Sequence, residues 1–268
     1  MVMGIVNVTP DSFSDGGQFA SVEAAEEHAL KLVAEGAEVL DIGGESSRPG
    51  AVPVSETEEL RRVLPLLERL AARVKIPISI DTVKPGVARA ALRAGASIVN
   101  DIAANRAEDA MWRVAAEFGA GYVCLHMQGT PQTMQSNPVY GDVVAEVRQY
   151  FEERIIRLNG CGVGSDQIIL DAGIGFGKAL GHNLRLLAAL GEFAGLERPL
   201  LLGVSRKSFI GTVTGAERGL RLPGGLACAA LAVEAGVAMI RTHDVAETVQ
   251  AVRMAEAIGA SRKTSKTE

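Results

Sequence analysis

Eight times along the chain a short apolar run rich in β-formers gives way to a stretch with helical periodicity. The runs read as strands are Val2–Val8, Val39–Ile42, Ile76–Ile80, Ser97–Asn100, Tyr122–Leu125, Ile168–Leu170, Leu200–Val204 and Met239–Arg241. One helical stretch opens at Ser21 and sets Ala25, Ala29, Leu32 and Val33 on one face. Another opens at Ser55, with Glu58 completing a capping-box pattern and Leu60, Val63, Leu64 and Leu67 forming the apolar face. Helical stretches end at Gly36, Gly95, Gly119 and Gly236, each directly before a strand. Glycine tolerates the left-handed backbone that stops a helix. Eight such units in roughly 250 residues match a single (β/α)8 TIM barrel. A doubly wound open sheet shares the alternation and stands as the alternative. The barrel is read as one domain over residues 1–260, and the small polar tail 261–268 is expected to fray.

Composition narrows the function. The net charge is −5 and no basic stripe is visible, which argues against nucleic acid or an anionic membrane as partner. Cys124, Cys161 and Cys228 have neither metal-ligand nor disulfide-framework spacing, so a reducing, cytoplasmic setting is expected. The opening "MVMGIVNVTP" lacks the basic region and long apolar core of a signal peptide. The most apolar stretch, Pro223 to Ile240, reads as a small-residue helix running into a strand, not a membrane span.

In a barrel the active site lies at the carboxyl ends of the strands. There the polar residues gather: Asn7, then Asp41, Asp81, Asn100-Asp101, His126, Asp171, Ser205-Arg206-Lys207-Ser208 and Arg241-Thr242-His243-Asp244. Taken singly, Asp11, Asp101, Asp109, Asp166 and Asp244 read as turn or helix caps. His28 and His182 read as surface or capping residues, His126 as a satisfied strand-end histidine and Trp112 as core. The glycine-rich run at Gly173 fails the phosphate-loop patterns, since Ala172 and Ala179 stand where Gly and Ser/Thr are required. Jointly the pattern is sharper. Asp41, Asp81, Asn100 and Asp171 each end a buried strand, where a carboxylate is costly without a partner. A ligand rich in N–H donors is one such partner. Arg48, Lys207, Arg241 and His243 on the same rim suit phosphate oxygens. The set suggests a ligand with a flat, nitrogen-rich ring at one end and a phosphate at the other. Asn7 and the loop-one acids can add oxygen ligands for Mg²⁺ arriving on a diphosphate.

The strings "MGIVNVTPDSFSDGG", "DIGGESSRPGA", "SIDTVKPGVARAAL", "IVNDI", "HMQGTPQTMQ", "GIGFGK", "GVSRKSFIG" and "RTHDV" together resemble the dihydropteroate synthase family of the folate pathway, from Met3 to about Ile258 and in family order. The resemblance implies a transferase that joins a dihydropterin-CH₂-diphosphate to p-aminobenzoate, releasing dihydropteroate and diphosphate, and that is a sulfonamide target. It implies a pterin pocket of Asp81, Asn100, Asp171 and Lys207. Diphosphate contacts would come from Ser47, Arg48, Arg241 and His243, and Asn7 would be the Mg²⁺ ligand. Phe13, Pro49, Phe176, Lys207 and Ser208 resemble the aminobenzoate wall. The loop "NVTPDSFSDGG" is then a mobile lid, with Asp15 facing a cation formed when the methylene–oxygen bond breaks first. Relatives form homodimers, and the small-residue seventh and eighth units can support one here. Ser47 stands where Thr is usual and Ala172 where Pro is common after Asp171. Relatives carry a segment before strand one that often forms a hairpin under the barrel floor; its absence bears on floor closure more than on chemistry. A pterin-dependent methyltransferase would share barrel and acidic floor, but has no reason to keep the diphosphate set. A non-catalytic pterin-binding paralogue is the second rival.

Overall fold

A computed structural model describes residues 1–8, 18–48, 50–103 and 108–264. The elements run β1 (Val2–Asn7), α1 (Gln18–Ala34), β2 (Val39–Gly43), α2 (Glu56–Ala71), β3 (Ile78–Asp81), α3 (Pro85–Arg93), β4 (Ile98–Asp101), α4 (Ala110–Phe118), β5 (Gly121–Leu125), α5 (Val143–Gly160), β6 (Ile168–Asp171), α6 (Leu180–Ala188), β7 (Leu200–Gly203), α7 (Ser208–Thr214), α8 (Leu222–Glu234), β8 (Met239–Thr242) and α9 (Val245–Thr264). All pairings are parallel, and β8 pairs with β1 to close the barrel. The open-sheet alternative is therefore excluded.

Strand edges differ from the expected ones for local reasons. The third run was expected from Ile76, but the ladder begins at Ile78, because Pro77 has no N–H to give and only its carbonyl joins, accepting from Leu40. α1 begins at Gln18 rather than Ser21, since Gln and Ala extend the first turn readily. Ser55 caps α2 as expected, its Oγ accepting from the Glu58 amide at 3.2 Å. The reciprocal half of the capping box is displaced: the Glu58 carboxylate is taken by Arg61 and Arg62 at 2.6 and 2.8 Å. Losing the Ser55 cap in Ser55→Ala should lower unfolding free energy by about 1 kcal/mol in urea titration, with catalysis unchanged. Of the tail, residues 261–264 belong to the end of α9, and residues 265–268 lie outside the described ones. α9 continues through Thr264, helped by an Arg262–Glu234 ion pair at 2.5 Å to α8. The four helix-ending glycines take positive φ, from 61° at Gly119 to 110° at Gly95.

Alternation along each strand decides what faces inward. Leu40, Ile42, Ile78 and Ile80 point out and pack under the helices with Leu66, Leu67, Trp112, Phe151 and Phe193. Met3, Val39, Val123, Leu201 and Met239 point in and fill the lower barrel. One step further up, the inward positions of five strands are polar: Asp41, Asp81, Asn100, Asp171 and Arg241. The same alternation that plugs the floor thus builds an acidic and basic layer above it.

Candidate functional site

The floor of the mouth is a closed ionic cluster. Arg241 reaches from β8 across the barrel, donating through Nε to Asp41 Oδ2 at 2.6 Å and through its terminal nitrogen to Asp81 Oδ2 at 2.7 Å. Asn100 Nδ2 donates to the same Asp41 oxygen at 3.0 Å. This differs from the sequence reading, which placed Arg241 at the mouth and left both carboxylates to a ligand. Two acids removed from water need a cation at hand, and the inward-pointing Arg241 is within reach of both. Asp41 is fully buried, while Asp81 keeps 9% exposure. Burial, and next the charges of Asp41 and Glu59, push Asp81 above the usual carboxylate range, although Arg241 pulls it down.

Asp171 ends β6 and is nearly buried, its Oδ1 accepting from the Gly173 amide at 2.7 Å. Burial raises its pKa; Lys207, the Gly173 amide and Arg241 offset part of that rise. The glycine run that follows serves close approach, not phosphate. A side chain at Gly173 (φ 65°) would meet the His126 carbonyl at 1.9 Å, and one at Gly177 (φ 62°) the Gln128 carbonyl at 2.3 Å. The β6 loop therefore lies directly on the β5 loop. Lys178, 2% exposed, pins the contact by hydrogen bonding to His126 Nδ1 (2.9 Å) and to the carbonyls of His126 and Phe176. His126 is the satisfied strand-end histidine expected; burial and the Lys178 charge hold it neutral.

Lys207 caps α7 and folds inward, its amine bonded to the Ile174 carbonyl and lying 4.7 Å from the centre of the Phe176 ring. Burial pulls that amine down to about 8, with Asp171 opposing. Arg206 before it has φ 59°, a strained backbone for a non-glycine residue, and is held by Asp244 through two side-chain bonds. Asp244 is thus an ion-pair partner more than a cap. His243 lies against Ser205, whose Oγ accepts the His243 amide at 3.2 Å and sits 3.0 Å from Nδ1. Burial, then Arg241 and Arg206, push His243 down to about 3. It is neutral at pH 7, which corrects its reading as a rim cation. Arg48 is exposed, Ser47 is half-buried, and the Arg48 charge also reaches His243. Ser208 opens α7 beside Lys207. Asn7 ends β1, paired with Gly43, which in turn pairs with Asp81. Phe13, Asp15 and Pro49 lie outside the described residues, as does Asp11.

Three clusters escaped the sequence reading. Asp101 is no simple cap: fully buried, it accepts from Tyr122 Oη at 2.7 Å, which accepts from Trp112 Nε1 at 2.9 Å. Asp109 occupies the α4 N-cap but spends its carboxylate on Arg113. Lys84 joins Glu45 of the β2 loop to buried Glu59 of α2, anchoring the loop that carries Ser47 and Arg48. Only the Lys-Pro helix start at Lys84 hinted at the last.

Among the described residues no group of three or more His, Cys, Asp or Glu could hold a metal. No described helix is long and apolar enough to cross a membrane. Asp81, Asn100, Asp171, Lys207, Arg241 and His243 nonetheless converge on one mouth, and known proteins share that frame. A profile of the family described as "Pterin binding enzyme" matches residues 3–243. Dihydropteroate synthase of Escherichia coli K12 is 48% identical over 267 residues, covering 100% of this chain and 94% of that protein. The Xanthomonas albilineans dihydropteroate synthase solved with 4-aminobenzoic acid superposes with a TM-score of 0.90 at 47% identity, covering 97% of this chain and 93% of that one. The same enzyme in complex with 7,8-dihydropteroate gives 0.87 at 45% identity, with 97% and 93% covered. By its own strand-end residues and by these matches, the chain belongs to the pterin-binding enzymes, among the dihydropteroate synthases.

Proposed function

We propose that this chain condenses (7,8-dihydropterin-6-yl)methyl diphosphate with p-aminobenzoate, giving 7,8-dihydropteroate and diphosphate. The observation that carries the reading is the layered mouth, with Asp81, Asn100, Asp171 and the Arg241 they surround below, and Lys207, His243 and Arg48 above. Asp171 accepts from the amino and ring N–H groups of the pterin, where a buried carboxylate bonds strongly. Asp81 and Asn100 complete the pocket, and Lys207 spans it to the aminobenzoate wall of Phe13, Pro49, Phe176 and Ser208.

The methylene–oxygen bond breaks first, because the electron-rich ring spreads the resulting cation. The protein's work is then to stabilise the departing diphosphate and hold the cation for the amine, which is positioning and electrostatics. Arg48, Arg241 and Ser47 meet diphosphate oxygens. Neutral His243 acts as a hydrogen-bond donor: with Ser205 Oγ–H given to Nδ1, its proton sits on Nε2. The arylamine is uncharged at pH 7, so no strong base is needed to free its lone pair; once the C–N bond has formed, its nitrogen loses a proton to water or to the departing diphosphate.

Asn7 supplies a single amide oxygen at the end of β1. That donor set fits a Mg²⁺ ion held mostly by diphosphate oxygens, with Asn7 as its one protein ligand and charge neutralisation of the leaving group as its chemistry. The chain acts as a homodimer in the cytoplasm. Exposed Leu231 of α8 with Met254 and Ile258 of α9 supports the first, and three free cysteines support the second.

A diphosphate-release assay tests the activity. Release should require the pterin diphosphate and rise sharply with p-aminobenzoate; no release in its presence would defeat the proposal. Asp15→Ala should lower kcat about 10-fold or more while leaving pterin diphosphate binding within about twofold, if Asp15 faces the cation. Equal loss in both would remove that role.

A further inference from the structure

Arg241 is held by two carboxylates of unlike accessibility. Asp41 pairs in register with Ser79, one inward step below Asp81, which pairs with Gly43. Their backbones are thus offset by one inward step, roughly 7 Å along the strand direction, and their side chains meet on one guanidinium. The upper acid keeps some exposure to the mouth, while the lower has none. The guanidinium bridges them with separate nitrogens, Nε down and a terminal nitrogen up.

We propose that Asp41 is a positioning residue, the fixed anchor about which the Arg241 guanidinium turns when a ligand's N–H donors claim Asp81. The Nε–Asp41 bond need not break in that exchange. The terminal nitrogen released from Asp81 is then available to an anionic group of the ligand. Asp81 is the acid open to the mouth, which makes the upper bond the one a ligand can displace. Asn100 is set by the same atom: its Nδ2 is committed to Asp41, leaving its carbonyl oxygen for another donor.

Asp41 does not look optimised for stability. Its Oδ1 is buried with no hydrogen-bond partner among the described residues, and such an orphan destabilises the fold. A carboxylate kept there despite that cost points to work done through its neighbour. The inference rests on the proposed reaction, and its test separates the two.

The test is a double-mutant cycle on the full chain: wild type, Asp41→Asn, Arg241→Ala and the double variant, each by kcat/KM and by thermal unfolding. Wild-type turnover reports on the reaction itself; the cycle reports on Asp41. Asp41→Asn should lower kcat/KM on the order of 10- to 100-fold. In the Arg241→Ala background the same change should cost no further rate and should raise the unfolding temperature, because it removes a carboxylate left without its cation. Losses that simply add overturn the proposal. If Asp41→Asn alone fails to fold, comparing the double variant with Arg241→Ala still decides. A folded double variant at the Arg241→Ala rate supports the anchor, and one that does not fold counts against it.

Discussion

Asp171→Ala should lose at least about 10³-fold in kcat/KM while the barrel stays folded. The pterin offers a row of N–H donors, and a buried carboxylate receives them as charge-assisted bonds of about 1.5–3 kcal/mol each. Two such bonds are worth about 3–6 kcal/mol, or roughly 10²- to 10⁴-fold at 1.4 kcal/mol per decade. The donors left unpaired in the variant add to the loss, which places the expectation in the upper part of that range. Stability follows a different sign. The Asp171 carboxyl has its pKa raised in the folded state, so its ionised form is disfavoured there relative to the unfolded chain. At pH 7 that charge lowers stability, and removing it relieves the strain. Against this, the Gly173 amide loses its acceptor, about 1 kcal/mol. The two act in opposite directions, so the unfolding temperature should move less than either change alone would move it. Rate assays with thermal unfolding at pH 7 check both halves. An unfolded variant, or one with the wild-type rate, would make Asp171 a structural residue.

What could be read from the sequence, and what could not, divides by the range of the interactions. All eight strands were legible because each is a short β-rich run closed by a turn or helix signal, information contained within about ten residues. Edges moved by one or two residues where a local rule intervened, as at Pro77. The polar strand ends were legible as a set, since a parallel barrel delivers every carboxyl end to one mouth. Their partners were not. Asp41 and Arg241 are 200 residues apart, and no local pattern says which cation answers which acid. The same holds for Lys84 with Glu45 and Glu59, and for Lys178 with His126, 52 residues away. His243 was misjudged as a cation because its charge state depends on burial and on two arginines supplied by the fold. The glycines at 173 and 177 were visible, but the backbone they make room for comes from another loop.

Lys207→Met should cost about 10²- to 10³-fold in kcat/KM, the scale for removing one preorganised charge from an anion-binding site. The amine sits where the pocket turns from ring to wall, between the Ile174 carbonyl, the Phe176 face and the Asp171 charge. Methionine keeps the length and apolar body of the side chain, so the loss reports on charge and not on a cavity. The pH profile gives the sign. Burial holds the Lys207 amine near 8, so the cation is present below that pH and lost as pH rises through it. Wild-type kcat/KM, which reports the free enzyme, should therefore fall on a basic limb near pH 8. A bound diphosphate adds negative charge near the amine and favours its protonated form, so the basic limb of kcat should lie at higher pH than that of kcat/KM. In Lys207→Met the limb near 8 should vanish from both. If that limb persists in the variant, some other group carries it. If kcat and kcat/KM share one limb in the wild type, Lys207 does not sense the ligand's charge, and its nearness to the bound diphosphate would have to be given up.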